Sequence, residues 1–281
     1  MLKQRVVTAL ALLLLVLGVL FLTGSVGWLV LLTLSAFLAA KEWFLLSFSD
    51  PPPKGQMVYA SLVAALVAMS PSLAALPLSV WAVTTGVLTA WMGVTVLGYQ
   101  LSQGQPRPWL LYWHQPASML TVGVGIVGLF HLSTWLFLNT MGPGLLLLTL
   151  FVIWALDVGA FFSGRQWGRR ALARYVSPGK TWEGVLGGAL LAWGVAFLAL
   201  TGLQAGLPFE SVTERFSVSL GLTAIALLSV FGDLYESVLK RRVQCKDSGQ
   251  LLPGHGGLLD RIDSLLFALP LMFFYWLWVL V

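Results

Sequence analysis

Long apolar runs separated by short polar joints dominate the chain. Nine of them approach the ~20 residues that a bilayer core requires. They lie at roughly 6–23, 26–46, 57–76, 78–98, 117–138, 143–163, 183–203, 216–238 and 263–281. The pattern predicts an all-α, polytopic integral membrane protein with about nine transmembrane helices. Lys3 and Arg5 precede the first run as they would in a signal peptide. No small-residue cleavage pattern follows and a second run begins almost at once, so the first run reads as a retained helix.

Composition agrees. The 281 residues are 58% hydrophobic and 10% charged, against about 25% charged in soluble domains. The net charge of +5 says less than its distribution. With nine spans, one face of the membrane receives Lys3, Arg5, Lys41, Lys54, Arg107, Arg165, Arg169, Arg170, Arg174, Lys180, Lys240, Arg241, Arg242, Lys246 and Arg261, and the other receives Arg215. The positive-inside rule then makes the basic face cytoplasmic, with the N-terminus on that side. The expected location is a bacterial-type inner membrane.

The chain divides near residue 140. Residues 1–140 hold spans 1–5 and few polar groups, with proline-rich joints such as Asp50-Pro51-Pro52-Pro53 that end helices. Residues 141–281 hold spans 6–9 and two basic loops, 164–182 and 239–262. No internal repeat is evident, which removes the main sequence support for an inverted-repeat transporter. Gly123-Val124-Gly125-Ile126-Val127-Gly128 matches a dinucleotide fingerprint, but it lies inside an apolar run, where small residues serve close helix packing. Cys245 is the single cysteine and has no partner, so neither a disulfide nor a zinc pattern exists.

The chemistry gathers in the second half. Asp157 sits late in an apolar run, where an ionised carboxylate is costly and usually functional. Ser177-Pro178 reads as an N-cap and first helical position for span 7, a helix start suited to phosphate beside Lys180. At the end of span 8, Asp233, Glu236 and Lys240 share one helical face. A Glu236–Lys240 pair contributes only ~0.2–0.5 kcal/mol in an isolated helix, too little to offset a buried carboxylate.

The segment 237–263 carries five cations, three carboxylates, His255 and four glycines. Its glycines suit a nest whose N–H groups face phosphate oxygens. Asp260 and Asp263 fall one turn apart if a helix begins near Leu258. Asp233 and Asp260 would then meet at one depth and suit Mg²⁺, a hard cation that keeps places for phosphate oxygens; Asp263 is a further candidate ligand. The alternative is that Asp260 and Asp263 form structural ion pairs with Arg261 or Lys246.

These residues resemble the phosphatidate cytidylyltransferase (CDP-diacylglycerol synthase) family. Ser237-Val238-Leu239-Lys240-Arg241, Lys246-Asp247, Gly249, Leu252-Pro253-Gly254-His255-Gly256-Gly257 and Asp260-Arg261-Ile262-Asp263 match its signature throughout. Ser177-Pro178, Lys180-Thr181-Trp182-Glu183-Gly184 and Gly232-Asp233 look like further family blocks, so the match covers roughly residues 154–264. One departure is Asp157-Val158-Gly159-Ala160-Phe161, where many members have Thr and Tyr at the second and fifth positions.

The resemblance implies that CTP and phosphatidic acid give CDP-diacylglycerol and pyrophosphate, with Mg²⁺, a further K⁺ and a homodimer. It implies Asp233 and Asp260 as metal ligands. Read from the residues themselves, Lys240, Arg241, Lys246 and Arg261 would gather the triphosphate and Lys180 with Ser177 would hold lipid phosphate or nucleotide, with Ser237, Asp247, His255, Gly256 and Gly257 as further substrate contacts. The competing readings are a CTP-dependent lipid kinase of the dolichol-kinase type and a transporter. The full signature disfavours the first, and polar residues crowded on one face disfavour the second. A CDP-alcohol phosphotransferase would need an Asp-Gly-x2-Ala-Arg string that this chain lacks.

Overall fold

The computed structural model describes residues 2–48, 53–69, 77–105, 143–202, 208–254 and 256–280. In the first half, α1 (Leu2–Gly18) runs through a π-helical turn (Val19–Thr23) into α2 (Gly24–Ser47), followed by α3 (Pro53–Ala68) and α4 (Leu78–Leu101). The second half holds α5 (Pro143–Trp167), β1 (Ala171–Ala173), β2 (Ser177–Thr181), α6 (Trp182–Gly202), α7 (Val212–Arg242) and α8 (Leu259–Leu280). Among the described residues, six helical stretches are long and apolar enough to cross a membrane, and Lys54–Ala68 is a shorter apolar helix. The predicted run 117–138 lies outside the described residues, as do His114, His131, Arg107 and the second part of run 57–76; the described parts of the other eight runs fall on helices.

The stretch from Val7 to Ser47 is helical almost throughout but not straight. Straight, it would hold Thr8 and Glu42 about 50 Å apart. Both reach the segment 248–259, Thr8 through Pro253 and Glu42 through Ser248. The chain therefore reverses near Gly24, whose φ of 65° L-residues rarely adopt.

Helix α7 is the central element, packing on α2, α4, α5, α6 and α8. Its start is fixed by a capping box: Ser211 Oγ accepts from Glu214 N, and the Glu214 carboxylate accepts from Ser211 N. Aromatic contacts join its inner end to its neighbours. Tyr235 stacks on Trp43 of α2 at 5.8 Å, and Phe231 on Phe267 of α8 at 6.0 Å. Farther along α8, Trp276 Nε1 donates to Thr149 Oγ1 of α5 at 2.9 Å, both groups buried.

Helices α5 and α6 meet along a seam of small residues. A Cβ on Gly159 would lie 2.9 Å from the Gly188 Cα, and one on Gly184 would lie 2.8 Å from the Ala160 carbonyl oxygen. Glycine lets these backbones touch, and dispersion then holds the pair where apolar transfer cannot.

One expectation needs correction. Ser177 does not cap a helix: residues 177–181 form β2, antiparallel to β1, with Ala171 opposite Thr181 and Ala173 opposite Ser177. A two-stranded ribbon is all edge, so Pro178 fits there. Helix α6 starts at Trp182, where Thr181 Oγ1 accepts from Gly184 N at 3.1 Å, and Glu183 accepts from the N–H groups of Arg169 and Arg170. The fold is thus helical with one short hairpin. Helix α7 continues past the apolar run 216–238 to Arg242 and carries Lys240 and Arg241 on its last turn, in keeping with the face shared by Asp233, Glu236 and Lys240.

Gly159→Leu should lower the thermal midpoint in detergent by an amount matching about 1–3 kcal/mol of overpacking. Gly144→Ala, where an added Cβ meets nothing within 4 Å, should leave it near that of the parent.

Candidate active site

Four elements bring charge to one end of the bundle: the second half of α5, the last turns of α7, the hairpin, and the start of α8. Asp233 of α7 forms an ion pair with Lys180 of β2. Ser237, one turn on, places its hydroxyl 3.4 Å from Asp233 Oδ1. Asp157 of α5 accepts from Ser264 Oγ at 3.2 Å. Asp157 and Asp263 both lie within electrostatic reach of Asp233 and Lys180. Asp157 thus belongs to this cluster, as its position late in an apolar run suggested.

Asp260 sits differently. Its Oδ1 accepts from Lys240 Nζ at 2.8 Å, and its Oδ2 accepts from Ser248 N at 3.0 Å and Gly257 N at 2.8 Å. Lys240 also donates to Glu236 Oε2 at 3.0 Å. This Glu236–Lys240–Asp260 triad is enclosed, with side-chain exposures of 1%, 14% and 6%. Asp260 thus pairs with Lys240, twenty residues upstream.

Gly256 N donates to the Leu252 carbonyl and Leu252 N returns the bond, closing the loop into a bridge. Gly257 N is donated to Asp260, and Leu258 N and Leu259 N to Glu42 Oε1 and Oε2 at 3.0 and 2.8 Å. The phosphate nest expected here is thus replaced by protein acceptors: the amides of 256–259 already serve carboxylates and a carbonyl. Glycine is needed for closeness instead. A Cβ on Gly256, whose φ is 85°, would lie 2.5 Å from Asp260 Oδ2, and one on Gly257 would lie 2.7 Å from the Glu42 carboxyl carbon.

Arg241, Lys246, Asp247 and Arg261 are exposed around this core, and Ser177 is half-buried at the start of β2. His255 lies outside the described residues. Burial pushes the Cys245 thiol up from its ordinary value, which makes it a poor nucleophile at neutral pH.

Sequence reasoning missed Glu42. It is 8% exposed in α2, accepts from Ser248 Oγ at 2.9 Å in addition to the two amides, and makes no ion pair among the described residues. The available signal was an ionisable residue within an apolar run, although Lys41 beside it made a helix end at the interface the simpler reading.

The donor set suits a hard cation. Among the described residues no three of His, Cys, Asp or Glu gather into a metal cage. Mg²⁺ characteristically takes one or two carboxylates and completes its shell with water and substrate phosphates. Asp233 fits that use: its protein partners are one lysine and a long hydroxyl contact. Asp260 has one oxygen shared by two amides and the other on Lys240, so it would reach an ion only through a remaining lone pair.

Residues 3–279 match the model of the cytidylyltransferase family. The chain belongs to that family. Among its curated relatives, a phosphatidate cytidylyltransferase of Pseudomonas aeruginosa is 39% identical over 277 residues, 96% of this chain and 95% of that one. The phosphatidate cytidylyltransferase of Haemophilus influenzae is 47% identical over about half of each chain, and that of Bacillus subtilis 44% identical over 44% of each. The family match runs through the first half as well as the signature, which bears out the resemblance carried by residues 154–264.

Lys240→Met should strip the enclosed triad of its cation and cost about 3–5 kcal/mol, the usual result of orphaning buried charge. Thermal unfolding in detergent measures this, and adding Glu236→Gln should recover part of the loss.

Proposed function

We propose that this cytidylyltransferase is a phosphatidate cytidylyltransferase, joining CTP and phosphatidic acid to give CDP-diacylglycerol and pyrophosphate. The observation that carries the reading is end-to-end similarity to a relative of that name, together with signature cations and carboxylates that converge from three elements. The proposal includes nine spans, a cytoplasmic N-terminus and active site, location in the inner membrane, and a homodimer. The one-sided distribution of Lys and Arg supports the orientation.

The lipid phosphate is already an oxyanion, so no strong base is required. One of its oxygens attacks the α-phosphorus of CTP, the bond from that phosphorus to the β-phosphate bridging oxygen breaks, and pyrophosphate leaves in line. Catalysis is then positioning and charge neutralisation. Lys180, with a quarter of its side chain exposed beside Asp233, has room for a phosphate oxygen as a second partner. Lys240 stays between Glu236 and Asp260 and lends its charge from within the wall. Arg241, Lys246 and Arg261 stand outside it and gather the triphosphate, with Ser177, Ser237, Asp247 and His255 as lesser contacts. Asp233 and Asp260 would hold Mg²⁺, with Asp263 beside them and a K⁺ as a second ion; the cation supplies Lewis-acid neutralisation of phosphate charge.

Purified protein given phosphatidic acid and labelled CTP should release pyrophosphate and form a labelled CDP-lipid. Formation of a phosphorylated lipid with free CDP would instead identify a kinase. Asp233→Asn and Asp260→Asn should each reduce turnover by about 100-fold or more, the scale seen when a transition-state charge partner is removed. Near-normal activity in either variant would remove that residue from the metal assignment.

A further inference from the structure

Residues 248–259 are held from two directions. Asp260 binds Ser248 N and Gly257 N from within the signature. Glu42 binds Ser248 Oγ, Leu258 N and Leu259 N from α2, more than 200 residues away in sequence. The two carboxylates share Ser248, one taking its amide and the other its hydroxyl. They also take consecutive amides, Gly257 going to Asp260 and the next two to Glu42.

The geometry points to Glu42 as a positioning residue for the signature loop. Its carboxylate sets the backbone of Gly257–Leu259, and thereby the direction from which Asp260 leaves the first turn of α8. Three features support this. All three donors to Glu42 lie between Ser248 and the first residue of α8, so the contact orients that loop and the helix start rather than merely filling space. The charge meets the N-terminal end of α8, where the helix dipole favours an anion. Gly249 and Gly257 leave room for it, since an added Cβ on Gly249 would lie 2.6 Å from Glu42 Oε1 and one on Gly257 would lie 2.7 Å from its carboxyl carbon. Thr8 of α1, donating to the Pro253 carbonyl at 3.0 Å, adds a second contact from the first half to the same loop.

Gln cannot replace Glu42 without loss. Its amide offers one accepting oxygen and turns an N–H pair toward the remaining donors, so at least one buried amide of 258–259 is orphaned. Asp keeps the charge but is one methylene short.

The consequence for rate rests on the proposed transferase reaction; the consequence for the loop does not. Glu42→Gln and Glu42→Asp are assayed in the full chain with phosphatidic acid and CTP, with rates normalised to folded protein. Hydrogen exchange is followed over peptides covering 248–259. Glu42→Gln should lower kcat by about 10- to 100-fold, the scale of a misplacement near 1 Å, while KM for CTP moves by less than about 3-fold because the gathering cations are untouched. Glu42→Asp should recover part of the rate. In both variants, exchange should quicken in 248–259 and stay unchanged in α5 and α6.

Wild-type kcat in Glu42→Gln would overturn the inference, as would unaltered loop exchange or quickened exchange throughout the bundle. If the parent protein makes no CDP-lipid, the functional reading fails, and the exchange experiment still decides whether Glu42 holds the loop. Glu42→Ala with Gly257→Ala supplies a second check: the added methyl should cost less stability where the carboxylate has been removed than in the parent chain.

Discussion

A helix beginning at the edge of the hydrocarbon region leaves N–H groups that neither lipid nor the helix itself can satisfy. Leading into α8, the amides of Gly257, Leu258 and Leu259 are met by two carboxylates, Asp260 from the helix's own first turn and Glu42 from α2. The arrangement closes the loop 243–258 over the end of α7, buries Lys240 between Glu236 and Asp260, and leaves Asp233 and Lys180 at its margin. Without it, the cations and carboxylates of the signature would have no common frame.

The same arrangement explains why the signature is so rich in glycine. Gly249 and Gly257 give Glu42 its space and Gly256 gives Asp260 its own, while the positive φ of Gly254 and Gly256 lets the chain turn tightly enough for the Leu252–Gly256 bridge. A loop that looks built to wrap phosphate is in large part built to wrap carboxylates. Arg241 and Lys246 stand exposed around it.

Much of this was legible in the chain. Apolar runs gave the helices because a lipid-facing helix must be apolar along its length, and the motif located the site because its polar residues cluster so densely. Helix ends were less legible: α7 runs on to Arg242 because its last turns carry the chemistry, and their polarity made the run appear to stop at 238. Ser177-Pro178 obeys the rules for a helix start, but the hairpin takes those residues first. The Lys240–Asp260 pair and the role of Glu42 left no local trace. Partners twenty or two hundred residues apart have no shared period, and a backbone amide has no letter of its own.

The distance between Glu42 and its donors bears on how the protein is made. Glu42 leaves the ribosome 217 residues ahead of Leu259, so α2 reaches the bilayer when nothing is yet present to receive its carboxylate. A bare charge in hydrocarbon is costly. During synthesis that end of α2 must therefore remain in interfacial water, and it settles only when α8 arrives. Final assembly of the two halves is thereby tied to the synthesis of α8.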